Sequence, residues 1–238
     1  MTAIFKCSEN PVQVLRIKPN TQGRHAHLFG GVPKHSGIAP EPGKPELHLL
    51  YTFDLSDSRL GISLEGVRFL PLFFGFSYDA TWLSYRMVSD EAIKIVFQEK
   101  KVPVKGFPYP DYPGIFSEVP VDLIDQPLEP MLDREDPYNP FHKEVLSRVG
   151  PERTRKQVLT ALDPLDQIAF AAGLPQGPSR ENCDLKGCSG LLEIFCVIDW
   201  DAVPGVRLWD DVGEGEDVKI VYETCPACST IHVTTQCT

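Results

Sequence analysis

The chain has 238 residues, of which 42% are hydrophobic, and it carries a formal net charge of −10 at pH 7. This apolar content is enough for a sizeable core, which excludes disorder for most of the chain. The longest apolar run, around FLPLFFGF, falls far short of the roughly 18 residues that a membrane helix needs. The first residues lack a basic-then-apolar signal, so the sequence predicts a cytoplasmic protein.

The charge is unevenly distributed along the chain. Residues 1–110 carry 13 Lys and Arg against 10 Asp and Glu, whereas residues 111–238 carry 10 against 23. Sequence-independent binding of nucleic acid needs cations that neutralise phosphates, so the acidic second half argues against that role. The same charge favours a basic protein partner.

The strand candidates show an internal repeat. In the first copy, a glycine-led turn at Pro33 precedes the apolar segment LHLLYTFDL, and Gly66-Val67-Arg68 follows it. In the second copy, a similar turn at Pro175 precedes LLEIFCVIDW, and Gly205-Val206-Arg207 follows. This shared order predicts two related β-units with the two apolar segments in equivalent central strands.

The region between the two copies is less regular. VSDEAIKIVFQEK is predicted as a strand or a short helix, and the proline-rich run after it as a long ordered loop. Helices are predicted from about Phe141 to Val149, from near Pro151, and from Pro164. Asp163 is the expected N-cap of the third helix, and Gly173 is expected to end it.

Together these elements predict an α+β fold that is mainly β, with a few helices packed on the sheet. We expect a single two-repeat domain over residues 1–238. Its first repeat covers residues 1–110, a proline-rich and acidic connector covers residues 111–150, and the second repeat covers residues 151–238.

Six of the seven cysteines lie after residue 180. Disulfides are rare in a cytoplasmic protein, so this clustering favours a metal over the alternatives of free thiols or a disulfide. Four thiolates leave no open coordination position, which predicts a structural zinc staple in the second half rather than a catalytic centre. Cys237 and His232 are reserve ligands. The predicted ligands are two close pairs, Cys183 with Cys188 and Cys225 with Cys228.

The order of these short motifs resembles the YwqG-like family of bacterial proteins and, more distantly, the eukaryotic programmed-cell-death-two family. The resemblance implies a two-repeat, sheet-rich fold, and the eukaryotic relatives imply binding of a ribosomal protein rather than catalysis. The cysteine pairs and the proline-rich middle depart from the bacterial pattern. The matching positions are Gly30, Gly31, Pro33, Leu49 to Leu55, Gly173, Pro175, Trp209 and Asp210.

The search for enzyme motifs finds neither a Gly-x-Ser-x-Gly elbow nor a phosphate-binding glycine loop. His25 and His27 alternate, but without a nearby third ligand they favour a polar strand face over a metal site. We therefore predict a non-enzymatic, acidic protein-binding protein, of the immunity or antitoxin type, that binds and neutralises a toxin such as a nuclease. The alternatives are a chaperone for a basic ribosomal protein and an uncharacterised hydrolase with an acidic site.

The predicted partner surface is the acidic segment 199–217, which holds seven carboxylates, one arginine and two tryptophans. Clustered carboxylates attract a basic partner, and aromatic anchors are common in tight interfaces. The alternative is that both tryptophans are buried and the acids only solvate a loop. The residues assigned to this surface are Asp199, Asp201, Trp209, Asp210, Asp211, Glu214, Glu216 and Asp217.

Overall fold

The backbone is mainly β-strand. The computed structural model of the chain describes residues 2–7, 12–128, 139–150, 152–203, 205–209 and 218–237. Within these residues, eleven strands form one curled antiparallel sheet, and three α-helices accompany it. This confirms the predicted mainly β class with a few packed helices. The strands are β1 Ala3–Lys6, β2 Gln13–Pro19, β3 His27–Phe29, β4 His48–Asp54, β5 Phe69–Phe74, β6 Trp82–Ser89, β7 Ala92–Gln98, β8 Val119–Gln126, β9 Glu193–Asp199, β10 Val218–Thr224 and β11 Thr230–Cys237.

The first and third helices begin and end close to the predicted residues, whereas the second begins at Arg155 rather than near Pro151. The helices are α1 Pro140–Val149, α2 Arg155–Ala161 and α3 Pro164–Ala172. Asp163 caps α3 by accepting a hydrogen bond from the backbone N–H of Asp166, and Gly173 ends the helix in a left-handed conformation (φ 67°). These caps satisfy backbone groups that a helix leaves unpaired at its ends. None of the helices in the described part of the chain has the length and apolar character needed to cross a membrane.

The strand order interleaves the two halves of the chain. The order across the sheet is β5-β4-β3-β8-β2-β1-β9-β10-β11-β6-β7. Thus β1 lies between β2 and β9, with Ala3 opposite both Arg16 and Val197. At the other side of the second half, β6 pairs with β11, where Tyr85 is opposite Ile231. Strands from residues 1–110 therefore border the second-half strands on both sides.

Two tyrosine hydroxyls satisfy backbone groups on the open side of the edge strand β5. The Tyr85 hydroxyl accepts from the N–H of Phe73 at 3.1 Å and donates to the carbonyl of Pro71 at 2.8 Å. The Tyr222 hydroxyl donates to the carbonyl of Phe73 at 3.2 Å. Because Tyr85 belongs to β6 and Tyr222 to β10, side chains rather than strand pairing join β5 to the far side of the curl.

The alternation of β9 shows how the sheet separates two cores. Ile198 points into the curl, where it joins a cluster that contains fully buried Phe53 and Tyr222. Its neighbour Val197 points to the other face and packs with Phe170 of α3. Successive side chains of a strand lie on opposite faces, so one apolar strand serves both clusters.

The two copies of the repeat share local geometry. The pairs β4–β5 and β9–β10 are antiparallel neighbours in the sheet. In each copy a glycine with positive φ, Gly66 or Gly205, lies in the turn before the valine of Gly-Val-Arg. The valine N–H then bonds to the carbonyl three residues earlier, at 3.2 Å in the first copy and 3.0 Å in the second. The predicted equivalence of the two apolar segments as central strands is wrong, because β9 is central in the sheet whereas β4 lies next to the edge strand β5.

The segments between the copies differ partly from expectation. Residues 92–98 form a strand, which decides between the two predicted states. The proline-rich run was predicted as a loop, yet its last part forms β8 between β3 and β2. Its alternating buried residues Val121 and Leu123 explain this strand, and the chain accommodates Pro120 opposite Leu28 near the start.

Candidate metal centre

The four predicted cysteines come from two loops that the sheet brings together. Cys183 and Cys188 lie in the segment before β9, whereas Cys225 and Cys228 lie in the turn between β10 and β11. In that turn the backbone N–H groups of Cys228 and Ser229 both donate to the carbonyl of Cys225, which curls the chain around its two thiols. Because β9 and β10 are neighbours, the two loops meet at the same end of the sheet.

The four sulfur atoms form one cluster. Cys183 Sγ lies 3.4 Å from Cys228 Sγ, and Cys188 Sγ lies 3.6 Å from Cys225 Sγ. All four lie within 4.8 Å of one another. Zinc–sulfur bonds of about 2.3 Å at tetrahedral angles separate neighbouring sulfurs by about 3.8 Å. The observed separations bracket that value, so the cluster is compatible with a metal site.

The backbone of the first cysteine loop approaches the second loop closely at Gly190. A Cβ at Gly190 would lie 2.5 Å from Cys225 Sγ and 2.9 Å from Ala227 Cβ. Only glycine fits at this position, because any side chain would collide with a ligand and its turn. Leu192 is buried with Cys183 and Cys225 in a small apolar cluster beneath the thiols.

The thiols differ in their tendency to ionise. Burial raises the pKa of Cys183 to about 12 and also raises the pKa of Cys225. Burial also raises the pKa of Cys228, but hydrogen bonding to Thr230 and to the neighbouring thiols outweighs burial and lowers the pKa to about 7. The hydroxyl oxygen of Thr230 lies 3.1 Å from the sulfur of Cys228. A bound dication would supply the charge that favours ionisation of these thiols.

Asp184 anchors the first cysteine loop to the sheet. Its Oδ2 accepts hydrogen bonds from Ser84 Oγ at 2.6 Å and from Trp82 Nε1 at 3.0 Å. His232 Nδ1 lies 3.2 Å from the same oxygen. This role of Asp184 was not predicted from the sequence, although its position directly after Cys183 was a signal that it would lie beside the thiol cluster.

Neither reserve ligand belongs to the sulfur cluster. His232 is buried on β11, where its Nδ1 also lies 3.0 Å from Ser84 Oγ. Cys237 is exposed at the far end of the same strand. The group that could hold a metal in the described part of the chain consists of the four predicted cysteines.

The predicted partner surface is only partly described, and one of its residues is internal. Asp199 is 4% exposed, and its carboxylate accepts a hydrogen bond at 2.8 Å from Lys219, which is also buried. The assignment of Asp199 to a contact surface is therefore wrong, because a charge in this position is already paired inside the fold. Trp209 is half-buried and packs edge-on against Phe76 at 5.0 Å between ring centroids. The remaining predicted residues Asp210, Asp211, Glu214, Glu216 and Asp217 lie outside the described residues.

Asp201 is the member of that surface that the structure places in the open. It lies with Trp200 in a groove of about 740 Å³, and Tyr109 from the proline-rich run forms another wall. Arg207 of the Gly-Val-Arg motif also lines the groove, and its backbone carbonyl accepts a hydrogen bond from the Tyr109 hydroxyl. Sequence reasoning missed Tyr109 because it is distant along the chain from the acidic segment.

Comparison of the chain with protein-family models, with curated proteins and with solved structures found no match in any of the three.

Proposed function

We propose that Cys183, Cys188, Cys225 and Cys228 bind one zinc ion as a structural site. The observation that supports this is the cluster of four sulfurs with separations near those of a tetrahedral site. Four thiolates suit zinc, which prefers sulfur and nitrogen ligands in tetrahedral geometry. With all positions filled by protein, the ion would join the segment before β9 to the β10–β11 turn and would leave no place for substrate.

Metal analysis of the purified chain tests this site. We expect close to one equivalent of zinc in the wild type and in C237S, because Cys237 lies outside the cluster. C225S should lose most of the metal, because it removes one of four ligands. Less than about a tenth of an equivalent in the wild type, or equal zinc in C225S and the wild type, would overturn the assignment.

We further propose that the protein is a non-enzymatic binding protein for a basic protein partner, of the immunity or antitoxin type. The supporting observation is the groove at Trp200 and Asp201, which joins an aromatic anchor to a carboxylate at the start of the acidic segment. Aromatic side chains provide most of the energy in many interfaces, and surrounding charges of one sign accelerate the encounter with an opposite charge.

A nuclease-type toxin is the form of partner that this surface suits best. The active site of a nuclease is built to hold phosphates and is therefore cationic. An acidic surface with an exposed aromatic groove could cover such a site and compete with the nucleic acid. The second half of the chain has the required charge, with 23 Asp and Glu against 10 Lys and Arg over residues 111–238.

Affinity capture with the tagged full-length chain at low salt, followed by binding kinetics on the recovered protein, tests the function. We expect a basic partner whose nuclease activity falls when the protein is added. D201K, and separately D210K/D211K, should slow association about tenfold at low salt and leave the thermal midpoint nearly unchanged. The matched control is E144K, a charge reversal on exposed α1. An association rate that is the same in D201K, D210K/D211K and the wild type would refute the acidic contact surface.

A further inference from the structure

The second edge of the sheet, along β7, is covered by a loop only at its beginning, and the register of β7 against β6 shifts at Val96. One side of β7 pairs with β6, and no strand of the described residues pairs with the other side. On that side the N–H of Ser36 donates to the carbonyl of Glu91 at 2.8 Å, and the N–H of Ile93 donates to the carbonyl of Ser36 at 3.0 Å. Gly37 then lies against the carbonyl of Ile93, so this loop covers the edge as far as Ile93 and no further.

The backbone of Ile95 continues the unpaired edge. Peptide groups that point away from the neighbouring strand recur at every second residue, so Ile95 follows Ile93 in pointing outward. In the part of the chain that the structure describes, no hydrogen bond from another segment reaches Ile95. The opposite edge at β5 differs, because tyrosine hydroxyls satisfy its Phe73 backbone. An open edge that the fold does not seal is a template for another strand.

Two exposed cations lie beside the middle of this edge, between the exposed acidic residues Glu91 and Glu99 that flank β7. Arg86 of β6 and Lys94 of β7 are directly opposite each other, and both are exposed. Like charges at opposed positions destabilise a sheet unless something neutralises them. Among the described residues, no carboxylate oxygen lies within 4.0 Å of either cation. Phe97, further along β7, exposes 45% of its surface on the same strand.

We propose that the β7 edge, from Lys94 to Phe97, is a docking site for an extended acidic peptide segment of a partner protein. The segment would add as a twelfth strand, with its backbone paired to Ile95 and its carboxylates next to Arg86 and Lys94. Strand addition of this kind obtains affinity from main-chain hydrogen bonds and specificity from alternate side chains. An apolar residue of the segment would contact Phe97.

The charges select this occupant over a second copy of the chain. Two β7 edges that paired with each other would bring both Arg86–Lys94 pairs close together, and the repulsion among four cations disfavours that dimer. The site is also distinct from the proposed groove at Asp201, because the two surfaces have opposite charges and take different partners. It stands or fails independently of the zinc and toxin proposals.

Amide hydrogen exchange and titration with a synthetic peptide of alternating glutamate and valine test the proposal. At low salt we expect saturable binding and slower exchange of the Ile95 amide. The same peptide with alternate backbone nitrogens methylated should bind at least about tenfold more weakly and should not protect Ile95, because it cannot pair along the edge. A lysine–valine peptide should not bind. These comparisons use the unaltered protein, so they do not depend on how a variant folds.

The R86E/K94E variant tests the charge requirement. Its affinity for the acidic peptide should fall at least about tenfold, because two attractions become repulsions. The matched control is R16E/K18E, which reverses two exposed cations on the interior strand β2 and should bind within about twofold of the wild type. Absence of binding by the wild type, unchanged affinity in R86E/K94E, or binding that leaves the Ile95 amide unprotected would each overturn the proposal.

Discussion

Cys225 is the most buried of the four clustered thiols. It is 1% exposed, it directly follows β10, and its backbone carbonyl accepts hydrogen bonds from the N–H groups of Cys228 and Ser229. We expect C225S to lower the free energy of unfolding by roughly 2–5 kcal/mol, because the zinc-bound state loses a ligand while the two large cores remain. Urea denaturation of zinc-loaded protein measures this. C237S should unfold like the wild type, and equal loss in both variants would argue against the metal as the cause.

His48 provides a pH-sensitive element elsewhere in the fold. Burial among Phe76, Tyr112 and Phe116 lowers the pKa of His48 from its ordinary value of 6.5 to about 4. Between these values the unfolded chain binds a proton that the folded chain does not, so stability decreases as pH falls from about 6.5 to 4. At about 1.4 kcal/mol per pH unit the loss at pH 4 is roughly 3 kcal/mol.

Replacement of this side chain isolates its contribution. H48F keeps an aromatic ring in the cluster and removes the titration. Urea denaturation at pH 7 and at pH 4 measures the decrease in the free energy of unfolding between these two pH values. This decrease should be roughly 3 kcal/mol smaller for H48F than for the wild type. Parallel pH profiles for the two proteins would show that His48 does not carry this linkage.

At the scale of the elements, β5 depends on side chains to complete its hydrogen bonds. Y85F leaves the N–H of Phe73 and the carbonyl of Pro71 without their partner, whereas Y222F removes one bond to the carbonyl of Phe73. A buried polar group left unsatisfied costs about 1–3 kcal/mol. We expect Y85F to destabilise the protein more than Y222F, and its Phe73 amide to exchange faster. The reverse order in chemical denaturation would contradict this account of the edge.

Helices and strands that depend on nearby residues were predictable from the sequence, whereas the order in which the strands pair in the sheet was not. The Asp163-Pro164 start and Gly173 end predicted α3, because caps act within a few residues. The apolar runs predicted β4 and β9 for the same reason. The insertion of β8 between β3 and β2 was not foreseen, because partners distant in sequence leave no local pattern.

The same distinction holds for the candidate site. The spacing of the cysteines was enough to predict a four-sulfur cluster, since two close pairs on adjacent loops converge. The burial of Asp199 depends on Lys219, which lies on a neighbouring strand, and sequence alone gave no reason to pair them. The contact of Asp184 with Ser84 and His232 joins three distant segments in the same way.

At the scale of the whole molecule, neither half of the chain contains a complete sheet. The first half supplies β6, whose partner β11 belongs to the second half, and β1, whose partner β9 does so too. We expect residues 1–110 expressed alone to lack cooperative unfolding, because β1 and β6 would each expose an unpaired side. Co-expression with residues 111–238 should restore a single transition in a thermal melt. A cooperative melt of the first fragment alone would show that the halves fold independently.

The position of β1 also has a consequence for synthesis of the chain on the ribosome. Val197, the neighbour of Ala3 in the sheet, is translated 194 residues after Ala3. At about 5–20 residues per second, β1 waits roughly ten to forty seconds for β9. During that interval the nascent first half exposes strand edges to other nascent chains and to chaperones. The sheet therefore cannot close until translation has passed β9, β10 and β11.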